Sequence, residues 1–245
     1  MKKSIRLFAT VMVCMAVVLC VSCKKDNVEP SGGGTDGGGN TGGSDGGTIA
    51  GHEYVDLGLP SGLLWATCNV GASSPEDYGS YFAWGETETK SYYGWSTYKW
   101  CNGSCNTLTK YNTDSYYGTV DNRTVLEMSD DAAHVNWGGS WRMPTYDEMQ
   151  ELKDRCTWTW TTQGGKSGYR VTGPNGKSIF LPAAGYFSDG GLGSAGSYGN
   201  YWSSSLYTGS PYDAYSLFFD SSFLSMYCYS RCYGRSVRPV SAAQK

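Results

Sequence analysis

Histidine is nearly absent from this chain. His52 and His134 are the two among 245 residues, too little imidazole for a histidine-built metal centre. Both lie in unpromising contexts, and no Ser/His/Asp set suggests itself. Charge is sparse at 17%, against about 25% in an average globular chain. The balance is slightly acidic, with a formal charge of −3, so the basic patch that nucleic acid requires is missing. No internal repeat is visible. Glycine is plentiful, but Gly190-Gly191-Leu192-Gly193 lacks the strand–helix frame of a phosphate loop. Carboxylates such as Asp130, Asp131 and Glu148 read as loop and cap groups. No apolar run reaches the ~20 residues of a membrane-spanning helix.

The longest apolar run covers residues 7–21, about 15 residues, behind Lys2, Lys3 and Arg6. That is the layout of a signal peptide. It ends in Cys20-Val21-Ser22-Cys23, which resembles a bacterial lipobox with Cys23 as the lipidated residue. Cys20 stands where Leu is usual, and plain secretion is the alternative. The following Lys24-Lys25-Asp26 resembles the start of many Bacteroidetes lipoproteins but lacks the acidic run linked to surface export. The expectation is residues 1–22 as signal peptide and a chain lipid-anchored in the cell envelope, at the outer membrane. Losing Lys2, Lys3 and Arg6 would take the formal charge from −3 to −6.

Residues 23–51 read as a tether. Almost all of 31–48 is Gly, Ser, Thr, Asp and Asn, which cannot bury a core. About 25 such residues reach roughly 25–30 Å. Residues 52–241 then form one domain. Short apolar runs at 54–57, 63–66, 81–84, 179–181, 201–203, 215–219 and 236–238 read as strands between long loops. Thr145 and Glu148 make a capping box, with Met149, Leu152 and Cys156 on one face of the helix it starts. A weaker helix is expected at 124–133. Six cysteines follow Cys23. Their even number permits disulfides after export, with Cys101 and Cys105 the nearest local pair.

Eight tyrosines fall between Tyr198 and Tyr233, mixed with Ser, Gly and Asp, which is a paratope-like composition. The pattern alternates. Tyr215, Leu217 and Phe219 oppose Ser216, Phe218 and Asp220. Leu224 and Met226 oppose Phe223, Ser225 and Tyr227. One face suits a core and the other a binding surface, although an ordinary Tyr-rich sandwich surface has the same look. The candidate ligand-binding residues are Tyr207, Tyr212, Asp213, Ser216, Phe218, Asp220, Phe223, Ser225, Tyr227, Cys228, Tyr229, Ser230, Cys232 and Tyr233. No cofactor, metal or catalytic residue is expected, and the partner would be a protein or a glycan.

Several motifs occur in order: Tyr54-Val55-Asp56-Leu57-Gly58-Leu59-Pro60, Trp65-Ala66-Thr67-Cys68-Asn69, Tyr81-Phe82-Ala83-Trp84-Gly85-Glu86, Trp141-Arg142-Met143-Pro144, Phe180-Leu181-Pro182-Ala183-Ala184-Gly185, Tyr201-Trp202-Ser203-Ser204-Ser205 and Arg235-Ser236-Val237-Arg238-Pro239. Together they resemble the Fibrobacter succinogenes major paralogous domain over nearly all of 54–240. The resemblance implies an α+β, C-type-lectin-like fold with short antiparallel strands, one or two helices, long loops and paired terminal strands near 54–57 and 236–240. A calcium-dependent sugar site would want a Glu-Pro-Asn-like or Gln-Pro-Asp-like motif, and neither occurs.

The same segment resembles the variable proteins of diversity-generating retroelements. There, adenine mutation turns Asn codons into Tyr, Ser, Asp, Phe, Cys and Gly codons. The stretch 216–233 is rich in that set, at Ser216, Phe218, Asp220, Phe223, Ser225, Tyr227, Cys228, Tyr229, Ser230, Cys232 and Tyr233, and precedes the fixed-looking Arg235-Ser236-Val237-Arg238. Two alternatives stand beside it. One is a fixed fimbrial or envelope component. The other is a Cys oxidase like the formylglycine-generating enzymes, carried by Cys228 and Cys232, whose spacing is one residue shorter than that pattern.

Overall fold

The computed structural model describes residues 46–243. The signal peptide, Cys23 and most of the tether lie outside the described residues. Within them the chain forms twelve strands. They are β1 (Thr48–Ile49), β2 (His52–Asp56), β3 (Leu63–Ala66), β4 (Thr157–Gln163), β5 (Lys166–Thr172), β6 (Ser178–Pro182), β7 (Tyr186–Ser188), β8 (Gly191–Gly193), β9 (Gly199–Leu206), β10 (Asp213–Phe219), β11 (Leu224–Ser230) and β12 (Val240–Ala242). Two α-helices accompany them, α1 (Ala132–Trp137) and α2 (Tyr146–Arg155). Strand order is β1-β2-β3-β12, β4-β5-β6, β7-β8 and β11-β10-β9, and all four sheets are antiparallel.

This overturns the α+β, C-type-lectin-like expectation. The molecule is mostly β, with helices of six and ten residues. The expected helix over 124–133 is replaced by a 3-10 turn at Met128–Asp130 and the short α1. Asp131 starts α1 by accepting from the Ala133 and His134 N–H groups, and Gly138 at φ 69° ends it. Residues 157–172, not assigned from sequence, became the hairpin β4–β5. The alternation Thr157-Trp158-Thr159-Trp160 was its available signal.

The terminal strands share a sheet but are not neighbours. β12 pairs with β3, which lies between it and β2. The 57–62 turn causes this by folding β3 straight back on β2. Gly58 N–H donates to Asp56 Oδ1 at 2.8 Å, and Gly62 N–H to Leu59 O at 2.9 Å. Residues 236–238 make no strand. Ser236 bridges Tyr201 and Val237 O accepts from Val70 N–H at 3.0 Å. Likewise the 81–84 segment is buried but holds a single bridge, Phe82 to Arg235. At the other end, Thr48 and Ile49 of the stretch read as tether pair with β2. Trp141 Nε1–H fixes them by donating to Ile49 O at 2.8 Å.

Helix α2 forms as its sequence dictates. Thr145 Oγ1 accepts from Glu148 N–H, and Glu148 Oε2 accepts from Thr145 N–H at 2.8 Å. Arg142 adds a two-pronged ion pair to the same carboxylate, at 2.7 and 2.6 Å. Met149 and Leu152 reach the main core beside Trp65, Leu181, Tyr201, Leu217 and Phe219. A second core gathers Phe82, Trp84, Tyr111, Trp202, Leu206 and Ala214. The sheet β9–β11 lies between the two. Its irregularity at Ser203–Ser205 receives the start of α2, where Ser205 Oγ accepts from Tyr146 N–H at 3.0 Å.

All six cysteines from Cys68 to Cys232 are free thiols. The expected Cys101–Cys105 link is not formed. Cys101 is buried and its thiol contacts Trp95 O at 3.2 Å, while Cys105 lies in the outer loop.

Candidate ligand-binding face

The hairpin β10–β11 carries the candidate site, and register sorts its residues. Ala214, Ser216 and Phe218 sit opposite Tyr229, Tyr227 and Ser225 on one face. Tyr215, Leu217 and Phe219 sit opposite Cys228, Met226 and Leu224 on the other. The second face meets the main core. The first is covered only at its Ala214 end, by Trp202 and Leu206 of the second core. Beyond it the sheet is open. Phe218 has its ring centroid 5.3 Å from Tyr198, 6.1 Å from Phe223, 5.9 Å from Tyr227 and 6.4 Å from Tyr229. Phe223 is 43% exposed and Tyr227 44%. A contiguous aromatic surface on a rigid sheet is the kind of patch that marks binding sites.

The structure therefore unites Phe218, Phe223, Ser225, Tyr227 and Tyr229, and separates the remainder. Ser216 shares their face but is fully buried beside Trp202. Cys228 points to the α2 side. Cys232 is buried in a third cluster with Tyr93, Tyr98 and Cys101. Asp220 serves the hairpin turn, its Oδ1 accepting from Ser222 N–H at 2.7 Å and Phe223 N–H at 2.9 Å. Those bonds hold its carboxyl below the ordinary value. Asp213 and Ser230 pair with each other across the strands. Tyr207 packs on Tyr215, at 5.3 Å, and Tyr212 on Tyr117, at 5.2 Å. Tyr233 alone of these outliers returns to the site, through the cleft beside it.

That cleft has a volume of about 330 Å³ and is walled by Tyr186, Tyr198, Phe218, Tyr229 and Tyr233, with Arg235 at its base. Asn200 and Ser188 supply polar lining. The base is fixed by backbone bonds on three sides. Gly234 exchanges two with Phe187, Arg235 two with Phe82, and Ser236 pairs with Asn200 and Trp202. The Arg235 guanidinium lies 3.8 Å from the Tyr229 ring centroid. Burial pulls its pKa down to about 10, so it stays charged at neutral pH. A second cleft of about 360 Å³ contains Glu86, Glu88, Lys90 and Lys99, and both of its lysines are already paired. Lys90 pairs with Glu86 at 2.8 Å, and Lys99 with Asp130 at 3.8 Å.

Sequence reading missed Tyr186, Asn200 and Arg235. Nothing in the chain distinguishes Arg235 from Arg231 or Arg238, since all three sit in one short segment. Burial pushes the Cys232 thiol up to about 12 and raises Cys228 as well, so neither is a thiolate at neutral pH. Among the described residues no group of three His, Cys, Asp or Glu could hold a metal ion. No helix among them is long and apolar enough to cross a membrane.

Fold and site together define a mostly-β scaffold bearing a solvent-facing aromatic hairpin beside an aromatic cleft. A family model described as a domain of unknown function, DUF8237, matches residues 158–240, the part running from β4 to the start of β12. No curated protein and no solved structure matches the chain.

Proposed function

We propose that this chain is a lipid-anchored envelope protein that binds a ligand through the β10–β11 aromatic face and does no chemistry of its own. The observation that carries the reading is the cluster of Phe218, Phe223, Tyr227 and Tyr229, left open on a strand pair whose reverse side is core. Tyrosine and Phe offer rigid contact area at low entropy cost, and such anchors dominate interface energy. The protonated state of Cys228 and Cys232 weighs against the oxidase alternative, because the thiolate is the reactive form.

Retroelement diversification belongs to the same proposal in a narrowed form. Positions 218, 223, 225, 227 and 229 carry the side chains of the open face, with Phe218 and Tyr229 half-buried and Tyr229 also packed against the second core. Positions 216, 228 and 232 carry packing, and exchange there would disturb the scaffold. A near-copy of the coding segment beside a reverse transcriptase gene, with Asn codons at the first five positions, is the expected genomic arrangement.

The test is binding of the full chain to an array of glycans and surface proteins. Phe223→Ser with Tyr227→Ser should abolish the signals while leaving the melting temperature within about 3 °C. Unchanged array binding by the folded double variant would remove the face from consideration. Anchoring is checked separately, since Cys23→Ser should leave the protein unprocessed or release it from membranes.

A further inference from the structure

Three arginines leave β11 on one segment, all buried, and they are satisfied very differently. Arg231 donates from Nε to Tyr98 Oη at 2.9 Å, from Nη1 to Tyr111 O and Pro211 O at 2.7 and 2.8 Å, and from Nη2 to Lys110 O at 3.0 Å. Arg238 donates from Nε to Asn69 Oδ1, from Nη1 to Ala66 O and Thr67 O, and from Nη2 to Phe180 O, all within 3.0 Å. Each uses all three nitrogens on acceptors supplied by the fold. These two are structural cations.

Arg235 is 2% exposed and breaks that pattern. Its Nη1 donates to Asn200 Oδ1, and its Nε has no partner. Asn200 Nδ2, bound to nothing, is a second unused donor beside it. Among the described residues no carboxylate forms an ion pair with Arg235. A buried charge with idle donors is costly, and the chain avoids that cost at Arg231 and Arg238. Both idle donors belong to residues that line the aromatic cleft. Both atoms are themselves covered from solvent, so an acceptor in the cleft reaches them only by turning the two side chains. That unused capacity is donor-only and positively charged, and calls for an anionic acceptor. A guanidinium edge takes a carboxylate or a sulfate with two parallel bonds.

The walls specify what carries the anion. Five aromatic rings line a space of about 330 Å³, at the small end of ligand pockets and sized for one ring. The cleft lies on the face of the sheet, walled by side chains. At Phe218 the cleft opens onto Phe223 and Tyr227, so a longer chain can continue over the exposed aromatic strip.

We infer that the cleft binds an anionic sugar residue of a glycan, its carboxylate or sulfate held by Arg235 and Asn200 and its ring stacked on the aromatic walls. This rests on the aromatic face being the binding surface and names the ligand class it reads. Selection is for charge: a buried guanidinium left unpaired by a neutral sugar would forfeit the interaction that pays for its burial. Calcium has no part in it, since no acidic residue lines the cleft.

The experiment is a titration of the full chain, in detergent, with sodium glucuronate, glucose 6-sulfate, glucose and an Asp/Glu hexapeptide. It is followed by NMR of the Arg235 Nε–H and the Tyr229 ring. Glucuronate or the sulfate should shift both signals saturably, with glucose at least about ten-fold weaker. Whichever of the two binds more tightly identifies the anion. Arg235→Gln should remove the preference for charge, and Phe218→Ser should weaken binding of the anionic sugars without removing it. Should Arg235→Gln not fold, the comparison of anionic and neutral sugar on the native protein decides alone. Equal affinity for glucose and glucuronate, displacement by the acidic peptide in place of either sugar, or no shift at roughly 10 mM would overturn the inference. If the sugars fail while Phe223→Ser with Tyr227→Ser still abolishes array binding, only the sugar assignment falls. If that double variant instead binds the array unchanged, the binding face falls with it.

Discussion

The ring of Phe219 occupies the space that a side chain at Gly199, its register partner on β9, would need. A Cβ at Gly199 would stand 1.9 Å from the Phe219 Cζ atom. Phe219 is fully buried, 5.3 Å from Tyr169 and 5.9 Å from Tyr201. The glycine thus lets the sheet under the binding face close onto the main core.

Gly199→Ala should accordingly cost about 3 kcal/mol or more, as overpacking does when the ring has nowhere to move. Phe219→Leu in the same chain should recover part of that loss, because the two positions are in contact and do not add. Urea unfolding measures both. A near-neutral Gly199→Ala would mean that the ring is free to shift.

Leu217 and Phe218 are adjacent in sequence and opposite in role. Leu217→Asp places an unpaired charge in the main core and should cost about 3–5 kcal/mol. Phe218→Ser removes a half-buried ring with four aromatic neighbours and should cost about 1–2 kcal/mol. Equal losses of melting temperature would contradict the alternation on which the face depends.

Glu148 links pH to stability. Burial raises its carboxyl, but the Arg142 hydrogen bonds and the Thr145 N–H outweigh that and hold it below its ordinary 4.5. A depressed carboxyl stabilises the fold above its unfolded value, and the contribution is lost as pH falls through the folded one. Glu148→Gln should therefore lower stability at pH 7 and show a shallower decline between about pH 5 and pH 3. Parallel curves for the two proteins would exclude Glu148 as the linked group.

Cys228 and Cys232 should react slowly with iodoacetamide at pH 7.5 in the folded protein and quickly in urea. Desolvation keeps both protonated, and Cys232 is also covered. Rapid alkylation of either in the native state would restore the case for a reactive pair.

What the sequence determined is mainly local. The Thr145–Glu148 capping box and the two-residue period of Tyr215–Phe219 act within a few bonds of themselves. Their outcome is therefore written in the chain. The tyrosine-rich composition also drew attention to the hairpin on which the candidate face lies. Tertiary structure decided which alternate positions stay open. Ser216 and Phe218 have the same parity, yet Trp202 covers the first and leaves the second free. It also decided the neighbour of β12, the unpaired state of the six cysteines from Cys68 to Cys232 and the class of the fold. Above all it separated three arginines that look alike in the sequence. Arg231 and Arg238 meet carbonyls brought from more than 100 residues away, and Arg235 meets aromatic rings and a cleft. No local pattern encodes such a difference, because it depends on which distant backbone groups the closed fold delivers to each side chain.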